Sequence, residues 1–150
     1  MLELYEPQVE DLWFKEKMMG DEQTMSYNHA YGGIIPFPKE YWADWHDRWI
    51  TNHNGKRFYR YIKDRDTFVG EVAYHFDGER QIYIADVIIY APYRGKGYGR
   101  KGLLQRFGFA ALAEVVAAIE RGKNARIQKG DTSIMIGDIK PNHRGFQRRL

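Results

Sequence analysis

At 150 residues, with 43% hydrophobic and 15% aromatic side chains, the chain has material for one packed domain, 1–150, and is not a disordered one. It has no cysteine, which excludes a disulfide scaffold, a Cys-ligated zinc site and a cysteine nucleophile together. Net charge is only +3, but Gly99–Leu150 carries 11 Lys/Arg against 4 Asp/Glu, a balance of +7 that leaves −4 for residues 1–98. A basic C-terminal third suits a phosphate-rich ligand, or nucleic acid. No apolar run reaches membrane-spanning length, and Met1-Leu-Glu-Leu lacks a signal-peptide pattern, so the expectation is a cytoplasmic protein without a membrane partner.

Met1–Tyr5 alternates weakly and predicts a first strand. Pro7 suits the first turn of a helix, whose apolar stripe runs through Val9, Leu12, Trp13 and Met19 until Gly20-Asp21 stops it. Thr24–Pro38 has no clear period and reads as a loop rich in aromatics. Pro38 opens a second helix in which Trp42, Trp45 and Trp49 recur at helical spacing and read as core. A turn at Asn52–Gly55 leads to strands over Phe58–Ile62 and Phe68–Phe76. Asp77-Gly78 is a hairpin signal into a third, 80–90. Leu103–Ile119 predicts a helix ended by Gly122, Thr132–Ile139 a short strand, and Pro141 onward a last helix. His29, His46, His53 and His143 have no metal-ligand spacing.

The most informative stretch follows the 80–90 strand. Pro92 ends that strand, because proline offers no N–H to a ladder. Gly95, Gly97 and Gly99 then occupy every second position, with Arg94, Lys96 and Arg100 around and between them, and an apolar helical pattern begins after Tyr98. Strand, basic glycine turn and helix together make an anion site: glycines let backbone approach closely, and the first helical N–H groups point at the ligand. The anion such a turn suits is a pyrophosphate. Gly97-x-Gly99-x-x-Gly102 is also literally a dinucleotide fingerprint, but several strands precede it and Glu120 falls in a helical stretch rather than at a strand end. A Walker A loop is absent, since no Gly-Lys-Ser/Thr follows.

The run Tyr93-Arg-Gly-Lys-Gly-Tyr-Gly99 resembles the acyl-CoA signature of the GNAT N-acetyltransferases, Arg/Gln-x-x-Gly-x-Gly/Ala, which Arg94, Gly97 and Gly99 match. The resemblance is specific over 67–105. It implies an α/β fold with a mixed, mostly antiparallel central sheet flanked by helices. The C-terminal third departs from the family: Arg149 falls where many relatives have a tyrosine, and the pattern lacks the last strands, leaving a sheet edge that a homodimer could cover. The resemblance implies acetyl-CoA as acyl donor, gripped by Arg94, Gly95, Lys96, Gly97, Tyr98, Gly99 and Arg100, with a backbone N–H near Ile88 or Ile89 polarising the thioester carbonyl. It also implies direct transfer, in a ternary complex, to a primary amine of a small molecule or peptide.

A general base must then lie near the centre of the sheet. Glu71 and Asp86 are the candidates, carboxylates in otherwise apolar strands where an ionised group is costly unless paired, solvated or functional. Alternation places Asp86 with Ile84, Ile88 and Tyr90, and Glu71 with Ala73 and His75, the last a further candidate. Tyr27, Asn28 and Tyr31 combine flat apolar surface with polar tips and form the expected acceptor wall. The competing reading is a non-catalytic acyl-CoA-binding module, or a basic nucleic-acid-binding one. For the latter the sequence offers no RNP-like aromatic pair and no KH or zinc signature.

Overall fold

The computed structural model of the chain describes residues 2–79, 81–102, 104–105, 125–129 and 132–136. Strands β1 (Leu2–Tyr5), β2 (Arg57–Asp64), β3 (Thr67–Asp77) and β4 (Ile82–Ile89) form an antiparallel run in spatial order. Helices α1 (Trp13–Met19) and α2 (Trp42–His46), with the short 3-10 and π turns that flank them, fill the interval between β1 and β2. A third helix, α3, opens at Tyr98.

Two more strands extend the sheet among the described residues. β6 (Thr132–Ile136) lies inside the predicted Thr132–Ile139 strand and pairs in parallel with β4. β5 (Ala125–Lys129), which no sequence pattern announced, pairs antiparallel with β6. The order β1-β2-β3-β4-β6-β5 therefore continues past the edge expected to be left open after β6. The other expectations for 103–124 and 137–150, including most of the Leu103–Ile119 helix, the helix from Pro141, His143 and Arg149, lie outside the described residues.

Alternation makes the two faces of the β2–β4 sheet chemically different. Register pairs Tyr59 with Ala73, Tyr61 with Glu71, Glu71 with Ile88 and Ala73 with Asp86, so all of these share one face. That face meets α1 and α2 in an aromatic core: Trp45 stands edge-on to Tyr59 at 4.6 Å between centroids, and Phe14 edge-on to Tyr61 at 5.1 Å. Such pairs contribute about 0.5–1.5 kcal/mol each beyond area burial. The expected α1 stripe needs one correction. Trp13 is 48% exposed, while Phe14, Lys15 and Met18 are buried with Leu12 and Met19. The 3-10 start over Val9–Leu12 sets the phase of the helix that follows.

The opposite face carries Ile62, Val72, Val87 and Ile89 and receives the start of α3. A Cβ on Gly102 would come within 2.7 Å of Ile62 Cδ1, so the helix can approach β2 this closely only without a side chain there. Gly70 has the same logic between strands, since its Cβ would run into the Ile88 carbonyl oxygen. It follows a bulge: Ile62 pairs with Gly70 and Lys63 with Phe68, so Val69 is the extra residue. The Val69 carbonyl accepts from the Tyr90 amide at 2.9 Å, carrying the β3–β4 contact one residue past β4.

Candidate active site

Beyond Tyr90 the chain makes one 3-10 turn, Ala91–Tyr93, and enters the glycine segment. Gly95 and Gly97 have φ of 83° and 82°, in the left-handed region that L side chains avoid. At Gly97 nothing stands within 4 Å of where a Cβ would be, so its backbone is open to a ligand. The Lys101 amide already closes on the Gly97 carbonyl at 3.1 Å, which leaves Tyr98, Gly99 and Arg100 as the first turn of α3. Lys96 and Arg100 are exposed beside it. Backbone, conformation and charge here fit a pyrophosphate.

Three residues of the expected grip do other work as well. The Arg94 guanidinium donates to the Gln23, Thr24 and Ile89 carbonyls, at 3.0, 2.7 and 3.2 Å. Gly99 faces the sheet, where its Cβ would touch Ile89 and Val87 at 3.6–3.8 Å. The Tyr98 hydroxyl donates to Asp64 at 2.7 Å, which holds the Asp64 carboxyl below its ordinary value and pushes the Tyr98 phenol up.

Among the described residues, β4 is unequally paired along its two edges. Its register with β3 runs from Ile82 to Ile89, whereas its register with β6 covers only Tyr83, Ala85 and the residue between them. From Asp86 to Ile89 the outer edge has no strand partner among the described residues. Amide direction alternates along a strand, and the Tyr90 N–H points toward β3. Ile88 therefore points inward too, and Ile89 points outward with Val87. The Ile89 carbonyl agrees, accepting from Arg94 on the outer side.

The carboxylates that alternation assigned to separate strands meet on one face, as diagonal neighbours across β3 and β4. Glu71 is fully buried, 3.5 Å from the Lys15 ammonium, and accepts from the Tyr59 hydroxyl. The ammonium also lies over the Trp45 and Tyr59 rings, 4.8 and 4.9 Å from their centroids. Lys15 sits three residues from both Leu12 and Met18, and that helical spacing was the signal that it is buried. Burial, with the Glu71 charge adding to it, raises the Tyr61 phenol well above its ordinary value. Asp86 is buried on the same face, nearer the outer edge of β4.

The aromatic segment folds as a 3-10 helix over Thr24–Tyr31 rather than as a loop. It does not bring the three expected wall residues together. Tyr27 joins the core, the Asn28 side chain donates to the Gly33 carbonyl at 2.9 Å, and Tyr31 is 65% exposed. Sequence reasoning missed the tie at the segment's start, where the Ala91 amide donates to the buried Thr24 hydroxyl at 2.9 Å. It also missed a cavity of about 380 Å³ beside His75, walled by Phe37, Trp45 and Trp49 and lined by Lys15, Arg48 and Arg57. Trp49, half-buried, faces this cavity, while Trp42 and Trp45 are core as expected.

Sheet, glycine turn and helix in this arrangement define an acyltransferase scaffold. The model of the Acetyltransferase (GNAT) family matches residues 17–125, and the chain belongs to that family. It is thus an N-acetyltransferase that takes acetyl-CoA as acyl donor. An acetyltransferase from Thermus thermophilus has the same fold, with a TM-score of 0.56 at 16% identity over 89% of this chain and 92% of that one. The Microcin C7 self-immunity acetyltransferase MccE, solved with acetyl-CoA and AMP, gives 0.52 at 16% identity over 85% and 80%. An N-acetyltransferase from Staphylococcus aureus gives 0.51 at 16% identity over 87% and 76%. No curated protein matches the chain.

Proposed function

We propose that the protein acetylates a primary amine of a small molecule or peptide by direct attack within a ternary complex, with Asp86 as the general base. The outer edge of β4 past its register with β6, lying beside the left-handed glycine turn, carries this reading. In it, the amides of the first α3 turn, the open backbone at Gly97, and Lys96 and Arg100 hold the pyrophosphate. The outward N–H of Ile89 is the preorganised donor for the carbonyl, so Ile88 contributes packing rather than the donor. Acetyl-CoA supplies the thioester whose C–S bond breaks as the new N–C bond forms.

An acceptor amine arrives protonated at neutral pH and must lose a proton before it attacks. Asp86, buried on β4 three residues before Ile89, takes that proton. Glu71 is a poorer base, because its charge is stabilised by the Lys15 ammonium and the Tyr59 hydroxyl, and its role is to hold that face together. Release of free CoA thiol from acetyl-CoA over a panel of primary amines tests the reading. Amine-dependent release that Asp86→Asn suppresses at pH 7 is the expected outcome. Saturable acetyl-CoA binding without release over any amine would overturn it in favour of a binding module.

A further inference from the structure

The cavity beside His75 has a composition that its surroundings do not explain. Residues 1–98 carry a net −4, yet the cavity is lined by Lys15, Arg48 and Arg57 and by no carboxylate among the described residues. Lys15 is balanced by Glu71. Arg48 and Arg57 have no carboxylate within ion-pair distance among the described residues. The Arg57 guanidinium lies over the Trp49 ring, 5.8 Å from its centroid, and donates to the Arg48 carbonyl at 3.4 Å. Those contacts orient the guanidinium without neutralising it. Planar walls complete the cavity: Trp45 and Trp49 are stacked 17° apart, and Phe37 stands edge-on to Trp45.

We propose that this cavity is the acceptor site, and that the acceptor is a small primary amine built on a flat apolar body with a carboxylate or phosphate at its far end. The proposal rests on the acetyl-transfer reading above. Guanidinium groups beside aromatic faces recognise planar anions through paired N–H donors. A cavity of about 380 Å³ is at the small end of sites for small molecules and admits one such body rather than a polypeptide surface. Position agrees with role. His75 lines the cavity and shares a face with Asp86, whose partner Ala73 is two residues along β3. Two residues of strand span about 7 Å. Asp86 lies one strand beyond Ala73 and outside the cavity lining, so an acceptor whose anion reaches Arg57 and Arg48 extends its amine along this face past His75, toward Asp86.

Three probes of one shape test this: benzylamine, 4-(aminomethyl)benzoate and 4-(aminomethyl)phenylphosphonate, assayed with wild type, Arg57→Gln and the exposed-site variant Arg48→Gln. The anionic probes are expected to show KM at least tenfold below benzylamine, and both variants to shrink that ratio while the acetyl-CoA Kd stays unchanged. The better of benzoate and phosphonate identifies the anion. Equal or better use of benzylamine overturns the proposal and leaves acetyl transfer standing, as does a ratio that survives both substitutions. If acetyl-CoA binds and no probe is acetylated, it is the transfer reading that fails with these amines. Calorimetry with the benzoate then decides the cavity: saturable binding lost in Arg57→Gln keeps it an anion site, and absence of binding overturns it.

Discussion

The two faces of the central sheet solve opposite problems. Toward α1 and α2, the strands present Glu71, Asp86, two tyrosines and His75, and the helices answer with Lys15 and three large aromatics. Toward α3, they present Val87, Ile89 and Ile62, and the helix answers with the absence of side chains at Gly99 and Gly102. One face tolerates buried charge because Glu71 and Lys15 balance each other within it. The other gains a close approach of helix to strands. A sheet that keeps these tasks apart can hold a donor at its edge and a base on its polar face without a packing conflict between them.

The strongest way to break the comparison is to unbalance the polar face. Lys15→Met should cost about 3–5 kcal/mol in urea denaturation, because it strands a buried carboxylate. Adding Glu71→Gln should recover a large part of that loss. A single-variant cost below about 1 kcal/mol would mean the pair is not integral to the face. Next in size is the base. Asp86→Asn should lower kcat/KM about a hundredfold at neutral pH, with partial recovery at high pH where the amine deprotonates itself, and acetyl-CoA affinity should hold. Full activity across about pH 6–9 would remove Asp86 from the chemistry.

The apolar face should respond only through packing. Gly102→Val should destabilise by about 1–3 kcal/mol, since its Cβ would fall within 2.7 Å of Ile62. Activity per folded molecule should be retained, and a selective loss of acetyl-CoA binding would contradict the division of labour. Gly99→Ala, with 3.6–3.8 Å available, should be close to neutral, within about 0.5 kcal/mol.

The smallest effect belongs to the peripheral Tyr98–Asp64 bond. The hydroxyl lowers the Asp64 pKa, so its contribution is present above the ordinary carboxylate range and is lost as pH falls through the depressed value. The Tm difference between wild type and Tyr98→Phe should therefore close on acidification. A difference that widened toward low pH would reverse the sign of the linkage.

The strands and the glycine turn were legible because each rests on local rules: alternation for β2–β4, and spacing for Gly95 and Gly97. What was hidden depends on register and tertiary approach. Nothing local says that Glu71 stands opposite Ile88 and Ala73 opposite Asp86, so two carboxylates assigned to separate strands could not be seen as neighbours. Gly99 matched the motif, yet its conformation answers the sheet behind it. Tyr27, Asn28 and Tyr31 had suitable chemistry, but the 3-10 winding sends them in three directions. β5 lacks a hydrophobic pattern, since Ala125-Arg-Ile-Gln-Lys129 holds a single large aliphatic residue.

The bonds from Arg94 and Ala91 to the Gln23–Thr24 backbone and the Thr24 hydroxyl join segments about seventy residues apart in the chain. They make the start of the Thr24–Tyr31 helix and the entrance to the glycine turn a single cooperative unit. Whatever steadies the turn also steadies the helix, and thermodynamic reciprocity requires the converse. In kinetic terms, a ligand that fixes residues 91–97 slows the local opening of the 24–31 segment as well.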